Sequence, residues 1–161
     1  MHWLDVCRLR SGPQDQTHSL NLLVIAVALN TGLSVLFLGQ AEGAGSPPAQ
    51  ALLGSLVALA FCYAVLQLRG LGNRFVQTAT TLFGTNALLT AAAMPAGLAL
   101  SHAGPEDVPA WAVLWLLGIA VWTVAVTGHI FRHALGTSMA AGLAVAILLF
   151  IVSMFTGSLL H

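Results

Sequence analysis

Lysine is absent from this 161-residue chain, and only 6% of its residues are charged. The formal net charge is zero, so there is no basic field to attract nucleic acid, and nucleic-acid binding is excluded. Cysteine is scarce as well. Cys7 and Cys62 stand alone, with no Cys-x-x-Cys pairing, and read as free thiols. Polar stretches long enough to build a separate soluble module are missing, which leaves no room for a soluble catalytic domain.

The rest is apolar. Hydrophobic residues make up 58% of the chain and its mean hydropathy is +0.90, more apolar surface than a soluble core of this size can hide. A helix crossing about 30 Å of hydrocarbon needs ~20 mostly apolar residues. Five charge-free intervals meet that length, roughly residues 20–38, 51–68, 75–97, 110–128 and 134–159. Lipid offers backbone amides no partner, so each must be helical, and the expected fold is an all-α integral membrane bundle with five transmembrane helices. Residues 1–19 form a cytoplasmic amino-terminal tail and 20–161 a single transmembrane domain. The polar tail before the first interval marks it as a retained anchor rather than a cleaved signal. Within the tail, Trp3, Leu4 and Cys7 beside Asp5, Arg8 and Arg10 predict a short amphipathic helix on the inner surface.

The arginines alternate with the apolar intervals. Arg8 and Arg10 precede the first, Arg69 and Arg74 flank the connector after the second, and Arg132 follows the fourth. Glu42 lies in the loop after the first interval, Glu106 and Asp107 in the loop after the third, while Asp5 and Asp15 share the basic tail. Because basic loops stay in the cytoplasm, this pattern predicts a cytoplasmic amino terminus and an outside carboxy terminus at His161. Arg69-Gly70-Leu71-Gly72-Asn73-Arg74 permits only a tight hairpin, so the second and third spans should be antiparallel neighbours. The Pro47-Pro48 and Gly104-Pro105 turns bound the other loops.

Some span residues are candidates for more than anchoring. Asn30 and Asn86 lie near mid-membrane at similar depth. An unpaired amide in hydrocarbon costs several kcal/mol, so both should face the interior and meet as interhelical glue. Gln77, Thr81, Gly84, Thr85, Leu88 and Ala92 share one face of the third span, narrow enough for close packing. A polar pathway is the alternative, but threonines can bond to their own helix carbonyls and need no external partner. Pro95 should kink or end that helix. Gly136, Ala140 and Ala144 recur every four residues, a ridge suited to a helix contact inside the bundle or with another protein. Trp111, Trp115 and Trp122 share one side of the fourth span, the first two at the interfacial belt.

His129 and His133 sit one helical turn apart, the spacing of two metal ligands. No third ligand accompanies them and Arg132 stands between them, so anchoring of a cytoplasmic turn is the better reading. Haem ligation needs facing histidines at one depth, whereas His102 falls at the opposite end from His129 and His133. No intramembrane Asp pair, Gly-x-Ser-x-Gly or span-interior charge offers hydrolytic or ion-coupled chemistry. The expectation is a non-enzyme without cofactor or metal.

The layout resembles the Yip1-type integral membrane proteins: five spans, a short amino-terminal tail, a tight second hairpin and an almost bare carboxy terminus. Two segments are similar to bacterial members, Phe75-Val76-Gln77-Thr78-Ala79-Thr80-Thr81-Leu82-Phe83-Gly84-Thr85 and Gly128-His129-Ile130-Phe131-Arg132-His133-Ala134-Leu135. The chain lacks the acidic-Leu-Tyr-Gly-Pro signature of eukaryotic members, and with it any pointer to GTPase binding or vesicle traffic. The resemblance implies a non-enzymatic protein that associates with membrane lipids, with other membrane proteins or with itself. Two alternatives stay open: an accessory subunit of a respiratory or secretory complex, and a passive channel or lipid or small-molecule carrier lined by the third span.

Overall fold

A computed structural model describes residues 2–13, 16–41, 45–104 and 107–158. Among the described residues are six α-helices: α1 (His2–Cys7), α2 (Leu20–Leu38), α3 (Pro47–Leu68), α4 (Phe75–Ser101), α5 (Ala110–Leu135) and α6 (Met139–Ser158). A 3-10 turn at Gly72–Arg74 joins α3 to α4, and no strand occurs among the described residues. The five helices α2 to α6 are each long and apolar enough to cross a membrane, which makes the chain an all-helical multi-pass membrane protein. Asp15, Glu42, Glu106, His161 and Pro105 of the Gly104-Pro105 turn lie outside the described residues.

Local chemistry sets the helix ends. The Ser19 hydroxyl accepts the Leu22 amide and caps α2, and Pro47 supplies the preset φ of a first helical position in α3. α5 runs on through His129–Leu135, past the expected exit near residue 128. Counting uncharged residues locates where a span can leave the bilayer, not where its helix stops, and no proline interrupts α5 before Gly136. Gly136 then takes φ +62° and its amide bonds back to the Arg132 carbonyl, closing α5 with a left-handed cap. That corrects its assignment to the α6 ridge: Gly136 is the end of α5, and α6 begins only at Met139. Pro95 does not end α4, which continues to Ser101.

α4 is the central helix. It packs against α2, α5, α3 and α1, α5 packs against α6, and α3 closes the ring on α6. The Arg74 guanidinium donates from Nη1 to the Ala134 carbonyl at 2.9 Å, tying the α3–α4 hairpin to the end of α5. The hairpin arginines and Arg132 therefore share one end of the bundle, here termed the arginine end. Near it, α4 is buried without a break from Thr78 to Thr85, and α5 from Val126 to Phe131.

Candidate functional site

The amino-terminal segment does not lie flat on a surface. α1 sits in the seam between α4 and α5, with Val6 fully buried and Trp3 pressed against Gly84, well inside the α4 span. Gly84 is required there, since a side-chain carbon at that position would overlap the Trp3 indole ring. Three hydrogen bonds hold the segment by its backbone. Trp122 Nε1 donates to the Cys7 carbonyl at 3.1 Å, Gln77 Nε2 donates to the Gln16 carbonyl at 2.8 Å, and His129 Nε2 lies 3.2 Å from the Ser11 carbonyl. The tail reads as an amphipathic surface helix because its charges suit water. In the fold, Arg8 and Arg10 remain exposed while the apolar Val6 is drawn between the spans.

Half of the narrow α4 face engages other segments. Gln77 and Gly84 receive the amino-terminal segment, and the Ala92 carbonyl accepts Trp115 Nε1 at 2.9 Å from α5. The hydroxyls of Thr78, Thr80, Thr81 and Thr85 donate to the Arg74, Val76, Gln77 and Thr81 carbonyls one turn back, at 2.7–2.9 Å. Their polarity is thus spent within the helix, and the outward surface they offer is methyl and backbone. Of the three tryptophans, Trp111 is exposed beside the start of α5, and the other two direct their N–H groups into the chain itself.

α5 and α6 meet at glycines. A side-chain carbon at Gly142 would overlap the Gly128 carbonyl, and one at Gly128 would stand 3.1 Å from the Leu143 Cα, so here two backbones touch. Ala146, one turn beyond Gly142, is buried as well. α6 carries two pairs of small residues at four-residue spacing, and the inward one is Gly142 and Ala146. Ala140 and Ala144 point outward, away from the bundle. Sequence inspection had the signal for both series but no means of choosing between them.

Asn30 is buried and Asn86 half-buried, and both line the same interior hollow. They do not hydrogen-bond to each other, and neither side-chain amide has a protein partner among the described residues. The side-chain bond that does link α2 to α3 is between Thr31 Oγ1 and Ser55 Oγ, 2.7 Å apart, a pair the sequence reading passed over.

His129 and His133 stack edge to face, with ring centroids 4.5 Å apart. His129 is buried against the amino-terminal segment, while His133 borders a hollow shared with Pro13, Arg74, Gln77 and Thr78. No group of three His, Cys, Asp or Glu side chains that could hold a metal ion occurs among the described residues. Compared with protein-family models, curated proteins and solved structures, the chain finds no match.

Proposed function

We propose that this protein is a bacterial inner-membrane component, Yip1-like, that works without catalysis by associating through its helix surfaces with another membrane protein or with a second copy of itself. The observation that carries this reading is the outer face of α6. Ala140 and Ala144 are exposed and open onto Leu148, Ile151 and Phe155, all exposed, while the bundle's own contact with α5 consumes the other small series. Small residues let a second helix come close, and the large apolar side chains beyond them supply contact area. The arginine end is assigned to the cytoplasm by the positive-inside rule, which puts the amino terminus inside and the carboxy terminus outside.

Native mass spectrometry of the protein extracted in mild detergent tests the association. A partner or second copy retained in fixed stoichiometry, and lost in an Ala140→Leu, Ala144→Leu variant of unchanged thermal stability, is the expected result. A lone protomer in every mild detergent would sink the reading. Labelling of single cysteines placed between Arg69 and Arg74 should be blocked in intact cells, and labelling from outside would invert the topology.

A further inference from the structure

Away from the arginine end, α2 and α5 both pack on α4 but are not packed on each other. The gap between them is a groove of about 380 Å³ floored by Asn86 and Thr90 of α4 and walled by Asn30 and Ser34 on one side and Thr123 on the other. It shares Asn30, Ser34, Asn86 and Thr123 with the interior hollow of about 260 Å³, which also reaches Thr127 and Ser153. The polar surface is therefore continuous from the flank of the bundle to its centre, at mid-membrane depth. Apolar residues complete the rim, among them Phe37, Leu116 and Ile119.

We infer that this groove binds an uncharged amphiphile whose head carries carbonyl or hydroxyl oxygens, with the head at Asn30 and Asn86 and its chain left in the bilayer. Each Asn side chain offers two N–H donors and one carbonyl acceptor, and neither is used by another protein group among the described residues. Buried polar groups are expected to be hydrogen-bonded, and a groove open on the flank of the bundle can draw that partner from the lipid phase. None of the residues lining the groove or the hollow is charged, so a phosphate or ammonium head would lose its water without a counter-charge. A neutral head loses far less and gains the amides. The chemistry fits a diacylglycerol or a prenyl quinone, which share oxygen acceptors on an apolar tail. This site is independent of the α6 face and stands or falls separately.

The test uses the full chain in nanodiscs. Dioleoylglycerol and decylubiquinone are titrated separately against dioleoyl phosphatidylglycerol, with binding read by native mass spectrometry and thermal stability measured in parallel. At least one neutral probe should be retained in preference to the phospholipid, and which one tells the two sources apart. Asn30→Leu or Asn86→Leu should weaken it about tenfold, the loss of one hydrogen bond between neutral groups. The same variants should keep or gain thermal stability, because they remove an amide that has no protein partner among the described residues. If the amides are only interhelical glue, the variants lose stability and neutral probes bind no better than phospholipid, and the inference is overturned. Ser34→Ala with Thr90→Val provides a milder pair should a leucine variant not fold. Unchanged neutral-probe binding in that pair, or no preference for neutral over anionic probe in the parent chain, also overturns it.

Discussion

The two ends of α4 live in different surroundings. Toward the arginine end, every residue from Thr78 to Thr85 is buried, enclosed by α2, α5 and the amino-terminal segment. Toward the other end, Asn86, Leu89 and Thr90 face a groove where α2 and α5 stand apart. Both halves carry hydroxyls, so polarity does not distinguish them. What differs is whether a neighbouring helix can come close, and that depends on glycine. Gly84 admits Trp3, and Gly128 with Gly142 brings α6 onto α5. Where the α4 face carries Asn86 and Thr90 instead, the seam stays open and amides are left to be satisfied by something else.

The largest expected effect comes from closing off the tightest contact. Gly142→Val drives a side chain into the Gly128 carbonyl and the Arg132 backbone, which cannot shift as a flexible side chain can. We predict a loss of about 3 kcal/mol, the upper end for overpacking, read as a lowered midpoint of thermal unfolding in detergent. An unchanged midpoint would mean that the sealed half owes nothing to this contact.

Gly84→Val comes next. It evicts the Trp3 ring rather than backbone, so we expect about 2 kcal/mol and the release of α1 from its seam. Cys7 is a natural reporter of that release. Burial raises its thiol above the usual value, which lowers the thiolate fraction at neutral pH and makes maleimide labelling slow, with the rate climbing as pH rises toward the raised value. The Gly84→Val protein should label at Cys7 faster at pH 7, and an identical rate would place α1 outside the seam.

The smallest effect belongs to a single bond. Trp122→Phe keeps the ring and deletes the N–H donated to the Cys7 carbonyl, for a loss of about 1 kcal/mol and a modest rise in Cys7 labelling. If Trp122→Phe matched Gly84→Val in both readouts, the seam would be held by that bond and not by ring packing, and the contrast drawn from glycine would fail.

The spans were legible because lipid dictates them: length, lack of charge and arginine placement each have one physical cause. The hairpin from Arg69 to Arg74 was equally plain, since so short a connector permits nothing else. Asn30 and Asn86 line one interior hollow, yet composition alone does not show that the helices carrying them leave the two amides unbonded to each other. The seat of α1 was hidden for another reason. Asp5, Arg8 and Arg10 speak for water, and the residues that receive the segment, Gly84, Trp122 and His129, lie far along the chain and look like ordinary packing or anchoring residues. Likewise the choice between the two small series of α6 depends on where α5 puts Gly128, which no pattern local to α6 contains.

The seam that holds α1 also imposes an order in time. α1 leaves the ribosome before any of the five spans, but its acceptor Trp122 follows Cys7 by 115 residues. At a synthesis rate of about 5–20 residues per second, the helix waits roughly 6 to 23 s before its slot exists. During that interval Trp3 and Val6 lack their full shelter, and the α1 seam cannot close until α5 has entered the membrane. The seam closes late: α1, made before the spans, gains its α5 contacts only after the fourth of them, so a chain stopped before α5 should display Cys7 to a thiol reagent that the finished chain resists.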